Sequence, residues 1–292
     1  MRMASDCYVC ILERAGFECE LAMGDLEEEI REERSREVME ELVGAIARQA
    51  GGVPALVGTD RERIVKRVSE DPDPYRRLKA ESNLLAKSLL PLAEQFYMSS
   101  PDRTEALIRI AAAANSMEFG VKGHDFDNHT FGEVFSKTLR ERLDGGLECV
   151  KELLSSFQRI YYLTDNAGEV VFDLFVVERL EEMGKSVIMG PKAEPVLNDV
   201  TAEELKGLAG RRMVATGDVV GLSRERSSPQ SLALLDDPDV LIIAKGMGNF
   251  ETISEFENDM RGRLVYILRA KCLPVARHLG VAKGTLVVRA VT

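Results

Sequence analysis

Over about the first 155 positions, apolar residues recur at helical spacing among abundant charges, as in "DLEEEIREERSREVMEELVGAIARQA", "YRRLKAESNLLAKSLLPLAEQFY" and "TEALIRIAAAANSMEF". Convincing period-two alternation, the mark of a half-buried strand, is absent there. "SEDPDP" before Tyr75 reads as a loop, with Pro74 suited to the start of the next helix. "GVKGHDFDNHTFG" reads as a second loop, rich in Gly, Asp and His.

From about residue 157 the texture changes. Short apolar runs ("IYYLT", "SVIMG", "RMVAT", "VLIIA", "LVYIL", "TLVVRAV") alternate with helical patterns, which predicts a parallel sheet covered by helices. Thr201 and Glu204 in "TAEEL" form a capping-box pattern and mark a helix start. The expected class is α/β: a Rossmann-like, mostly parallel sheet with flanking helices over residues 156–292, preceded by an all-helical region over residues 1–155.

Ligands of open α/β sheets bind beyond the carboxyl ends of the strands, so the residues after each run are the candidates for chemistry. Asp165 and Asn166 follow the first run and offer hard oxygen atoms. A second carboxylate from a neighbouring strand end, Asp199 or Asp218, completes the protein's share of a Mg²⁺ or Mn²⁺ site, with water and phosphate oxygens supplying the rest. Lys245 after "VLIIA" suits charge neutralisation on a transferring phosphoryl group. Gly246 and Gly248 admit close approach of backbone N–H groups to phosphate, and Asn249, Glu251 and Lys271 lie on the same expected edge. Blander readings compete: Asp165–Asn166 as a helix cap, the lone G-x-G (with Glu251 where a dinucleotide fingerprint has its third Gly) as a tight turn, and Lys245 as a solvated strand end.

Composition narrows the class. Lys and Arg number 38 against 49 Asp and Glu, a net charge of -11, which argues against a general binder of nucleic acid or membrane surfaces. No apolar run approaches the ~20 residues of a membrane span. The first ten residues lack the apolar core of a signal peptide, so the expectation is a soluble, cytoplasmic protein. Five cysteines without a secretion signal suggest reduced thiols, and three histidines make a His-rich zinc site improbable. Cys7-x-x-Cys10 has no second pair; its spacing puts both thiols near one helix face, where cysteines serve as small apolar residues, and clustering with Cys272 is the minority alternative. "HDFDNHT" has metal-binding composition but reads as a solvated loop.

Taken together, "TDNAGEVVFD", "VLNDVT", "AKGMGNFET" and "LRAKCLPVA" resemble the damage-control phosphatase family, long catalogued only as a domain of unknown function. "CYVC", "DPYRRLKAESN" and "AAAANSMEFG" extend the resemblance over nearly the whole chain and point to the microbial branch with paired N-terminal cysteines. The resemblance implies a helical bundle joined to a Rossmann-like domain, and a metal-dependent phosphatase acting on phosphorylated metabolites. It implies metal ligation by Asp165, Asn166 and Asp199, which leaves Asp218 as runner-up, and phosphate contact by Lys245. The implied cofactor is a divalent ion: Mn²⁺, Mg²⁺, Co²⁺ or Ni²⁺. Asn115 and Glu118 of "NSMEFG" are then expected to reach the substrate from the helical part, interhelical hydrogen bonding being the alternative. Some branches carry Arg-Thr-x-Lys near the C-terminus; here the stretch is Leu268-Arg269-Ala270-Lys271, so only the lysine matches. The nucleophile is either a metal-activated water or Asp165 itself. Two other classes compete: an S-adenosylmethionine-dependent methyltransferase, which needs neither Asp165 nor a divalent ion, and a phosphometabolite sensor that binds without turnover. The acid–amide pair with Lys245 favours the phosphatase. No pattern specifies an oligomeric state.

Overall fold

A computed structural model describes residues 1–117, 128–206 and 211–292. Six strands form one sheet: β1 (Leu143–Asp144), β2 (Arg159–Leu163), β3 (Ser186–Gly190), β4 (Val240–Lys245), β5 (Leu264–Arg269) and β6 (Leu286–Val291). Their order is β1-β6-β5-β4-β2-β3, and every neighbouring pair is parallel except β5 with β6. β4 is buried along its full length, as a continuous apolar run covered on both faces must be.

Alternation within the strands divides the interior in two. Ile160, Tyr162, Ile243, Val265 and Ile267 face one core, while Tyr161, Leu163, Ile242, Ala244 and Tyr266 face the other. The first core packs against α4 (Arg76–Ser99), α5 (Arg103–Ser116), α6 (Asn128–Thr138), α7 (Leu147–Ser156) and α8 (Glu169–Glu182). It therefore runs across residue 155, and the alanine run Ala111–Ala114 lets α5 lie close to β5 and β6. The second core is covered by α10 (Pro229–Asp236), α11 (Gly246–Ile253) and α12 (Leu273–Leu279). The helices α1 (Ser5–Met23), α2 (Glu28–Arg48) and α3 (Pro54–Ser69) share a smaller cluster of their own.

Local expectations fared unevenly. The capping box forms reciprocally at α9 (Ala202–Lys206): the Thr201 N–H donates to Glu204 Oε2 (2.8 Å) and the Glu204 N–H to Thr201 Oγ1 (3.2 Å). "RMVAT" is not a strand. Met213 makes one parallel bridge to Met189, after which the Thr216 N–H turns in to Pro191 O (2.8 Å), so the run touches the sheet edge without extending it. β1 was not expected; two residues flanked by charge and glycine carry no strand signal, and they pair only because Leu143 and Asp144 meet Leu286 and Val287. The end of the expected loop "GVKGHDFDNHTFG" is helical from Asn128, and Tyr75, not Pro74, is the residue flanking α4. Among the described residues, no helix is long and apolar enough to cross a membrane.

Candidate active site

The chain runs from β2 outward to β3, then returns to the opposite side of β2 to lay down β4. Strand order thus reverses between β2 and β4, and their carboxyl ends flank the crevice where α/β sheets bind ligands. β2 delivers Asp165 and Asn166 to this crevice. Gly168, at φ +81°, turns the chain into α8, and its N–H donates to Asn83 Oδ1 (2.7 Å) from α4. Neither Asp165 nor Asn166 caps α8.

The Asn166 amide nitrogen donates to Asp165 Oδ2 (3.2 Å) and Glu169 Oε1 (2.9 Å), and the amide oxygen, which accepts no hydrogen bond among the described residues, remains as a ligand atom. Asp199 arrives from the β3–α9 segment. Asn166 and Asp199 form an antiparallel bridge, the Val200 N–H donates to Asp165 O (3.1 Å) and the Ala167 N–H to Asn198 O (2.8 Å). The expected ligand trio is therefore gathered by backbone pairing. Asp218 is not: it is exposed and paired with Arg63 (2.8 Å).

Burial, then Glu169 and Asp199, push Asp165 well above the ordinary carboxylate range, against Lys271 and Lys245. Burial likewise raises Asp199 against the pull of Lys192, with Glu169 adding to the rise. Carboxylates crowded in this way hold protons because a compensating positive charge is short, and a divalent cation supplies that charge. Two carboxylates and a free amide oxygen are the donor set of a hard, oxygen-seeking cation, so Asp165, Asn166 and Asp199 fit one.

Lys245 occupies a different position from the one its strand-end location suggests. It is fully buried, with Nζ 2.9 Å from Asp173 Oδ1 and 3.3 Å from Glu169 Oε2. Burial alone would lower its pKa, but Asp173 and Glu169 outweigh it and hold the ammonium above its usual value. Tyr162 donates to the same Asp173 oxygen (2.6 Å). Lys271, half-buried, lies near enough to Asp165 to lower its pKa and forms no ion pair among the described residues.

Asn115 reaches the site from α5. Its amide nitrogen donates to Asp165 Oδ2 (3.0 Å) and to Glu169 Oε1 (3.1 Å) and Oε2 (3.0 Å), while its oxygen accepts from the Arg269 N–H (3.0 Å). Glu118, His124, Asp125 and Asp127 lie outside the described residues. Gly246, φ +77°, packs its Cα on Asp165; a Cβ there would fall 1.9 Å from Oδ2. Gly248 instead lies against Val220, and Asn249 ties the ends of β2 and β4 by donating to Thr164 O (3.1 Å) and Lys245 O (2.7 Å). Glu251 points elsewhere, lining a cavity of about 400 Å³ with Cys7, Cys10 and Cys272, and burial pushes it up to about 7. All five cysteines are free. Cys7 is buried as expected, whereas Cys10 is exposed at the rim of that cavity, which brings both near Cys272. Among the described residues, no group of three or more His, Cys, Asp or Glu side chains is placed to hold a metal ion, so the crevice offers two carboxylates and an amide rather than a cluster of acids.

Glu169, Asp173, Lys192 and Asn83 were not singled out from pattern. Lys192 is fully buried, donates to Gly221 O (2.6 Å) and sits 3.6 Å from Asp199 Oδ2. Glu169, Asp173 and Asn83 lie inside the quoted family motifs and Lys192 lies shortly before one, which is the one signal the sequence carries for them.

An α/β sheet with an acid–amide–acid crevice at its switch point defines a class, and comparison with known proteins identifies the family. The Damage-control phosphatase ARMT1-like domain matches residues 3–287, and the chain belongs to that family. It is 31% identical to an uncharacterized protein of Methanocaldococcus jannaschii over 97% of this chain and 94% of that one. It is 27% identical to a protein of Archaeoglobus fulgidus named damage-control phosphatase, with 100% of both chains covered. The solved structure of a DUF89 family protein from Pyrococcus horikoshii superposes with a TM-score of 0.87 at 28% identity, covering 100% of both chains.

Proposed function

We propose that this chain is a metal-dependent phosphatase that hydrolyses phosphomonoesters of small metabolites, sugar phosphates or damaged phosphometabolites, in the cytoplasm. The observation that carries the reading is the meeting of Asp165, Asn166 and Asp199 at the switch point, with the ammonium of Lys271, which forms no ion pair among the described residues, close enough to act on Asp165. Relatives named damage-control phosphatase support the phosphatase part. Free thiols suit a reducing compartment.

Asp165, Asn166 and Asp199 would hold Mn²⁺, Mg²⁺, Co²⁺ or Ni²⁺, which when bound neutralises phosphoryl oxygens and lowers the cost of forming the nucleophile. Lys271 adds positive charge where the phosphoryl group develops negative charge. Lys245 acts one layer below: it fixes Glu169, which with Asn115 orients Asp165 and Asn166. α11 opens at Gly246, against the Asp165 carboxylate, and the first-turn amides of a helix placed there would favour an anion. Water supplies the hydroxyl taken up by phosphorus, and the departing alcohol oxygen takes the proton. Asp165 as a covalent nucleophile would give a trappable aspartyl-phosphate.

The test is phosphate release from a panel of sugar phosphates, with Mn²⁺ or Co²⁺ and after chelation. Wild type should release phosphate only with metal, and a folded Asp165→Ala should lose more than ~100-fold, the upper range for loss of a partner at a metal site. Metal-independent release, or full activity in Asp165→Ala, would sink the reading.

A further inference from the structure

The segment that delivers Asp199 contains a residue in a costly conformation. Leu197, two positions before the ligand, has φ +49°. A side chain with a Cβ adopts that left-handed backbone only when its surroundings enforce it. The enforcing contact comes from α3. Glu62 Oε1 accepts the Leu197 N–H at 2.7 Å. Lys66, one turn further along α3, sits 3.0 Å from the same oxygen and donates to the carbonyl of Pro195. Two side chains of one helix thus grip the segment at residues 195 and 197. Val196 between them packs with Val53, Ala55 and Val220.

The gripping helix is itself held. Arg61 pairs with Glu18 of α1 through two bonds (2.9 and 2.6 Å), and the Tyr75 hydroxyl donates to the same carboxylate (3.0 Å). Glu62 is only 2% exposed. Burial pushes it up to about 7 in spite of Lys66 and the Leu197 N–H, with Glu18 adding to the rise. A buried acceptor under such a penalty is poorly explained by packing, since leucine would fill the space without it but could not accept from the Leu197 N–H.

We propose that Glu62 is a positioning residue that sets the metal-facing pose of Asp199 by locking Leu197 in its left-handed conformation. The turn it fixes continues directly into the site: the Asp199 N–H donates to Val196 O (3.0 Å), and Asn198 O accepts from Ala167 beside Asn166. The helical part of the chain thereby tunes a metal site that sequence assigns wholly to the α/β part. This inference rests on the metal-dependent reading above.

Mn²⁺ affinity measured by calorimetry, together with thermal unfolding of the metal-free protein, tests it. Glu62→Ala should weaken Mn²⁺ binding about 10-fold or more, as loss of an outer partner does. Glu62→Gln, whose amide oxygen still accepts from Leu197, should stay within about 3-fold of wild type. Adding Leu197→Gly to Glu62→Ala should recover part of the loss, because glycine adopts a positive φ without strain. Unchanged Mn²⁺ affinity in Glu62→Ala, whatever its Tm, would overturn the positioning role while leaving the metal reading intact. Absence of Mn²⁺ binding in wild type would overturn the metal reading, and the positioning role with it.

Discussion

Two lysines at the carboxyl edge of the sheet divide the work that strand-end position alone assigned to one. Lys245 ends a strand covered on both faces, so its side chain enters a buried network with Glu169 and Asp173. Lys271 lies beyond β5, half-buried and near Asp165. The two should separate on substitution. Lys245→Met should lower Tm sharply, since uncompensated buried charge costs about 3–5 kcal/mol. Lys271→Ala should leave Tm nearly unchanged and reduce kcat by about 100-fold, the scale of one lost charge-stabilising donor. Thermal melts and single-substrate kinetics on the purified variants check both, and a Lys271→Ala enzyme with wild-type kcat would contradict the assignment. Asp165 and Asn166 were legible because they interrupt an apolar run just before a glycine. Choosing Asp199 over Asp218 was not legible from pattern alone, and the resemblance favoured Asp199; in the structure the backbone bridge to Asn166, and the exposure of Asp218 and its pairing with Arg63, separate them.

At the scale of elements, β2, β3, β4, β5 and β6 were readable as apolar runs, and α9 from its capping box. The misreading of "RMVAT" has a simple cause. Apolar patterning reports burial, and Met213 is drawn to the sheet edge, but strand pairing also requires neighbours that continue along the edge, which here turn away at Thr216. The junction of β4 and α11 is more exacting. Gly246 closes on Asp165, so Gly246→Ala should displace the carboxylate even though the change is one methyl group. We expect Gly246→Ala to fold with a modest loss of Tm and to lose most metal-dependent phosphate release. Gly248→Ala, where the obstruction is the Val220 side chain, should retain more. Paired activity and unfolding measurements check this, and equal activities in the two variants would count against it.

For the whole molecule, the helical first half contributes chemistry as well as shelter. Asn83, Asn115 and Glu62 each reach across to the α/β part. Asn115 was expected at the site only through its family motif, and the contacts of Asn83 and Glu62 were not expected at all, because a polar residue within an amphipathic helix looks the same whether it meets solvent or a buried carboxylate. Burial of Glu62 between the two parts also bears on pH. Glu62 has its folded pKa raised to about 7 from 4.5. The folded state thus holds this proton more tightly than the unfolded chain does. The corresponding stability is fully present below about 4.5 and is lost as pH rises through about 7. Glu62→Gln lacks that loss, so its Tm relative to wild type should rise between pH 5 and pH 8. A difference that stays flat or falls across that window would show that the carboxyl is not held protonated in the fold.

The central claim is that Asp165, Asn166 and Asp199 hold one divalent ion at the switch point of the sheet. Anomalous diffraction from crystals soaked in Mn²⁺ tests it most directly. The account predicts a single strong anomalous peak within coordination distance of all three side chains, absent from Asp165→Ala crystals. A peak elsewhere, or none at this site in wild type at saturating Mn²⁺, would contradict it.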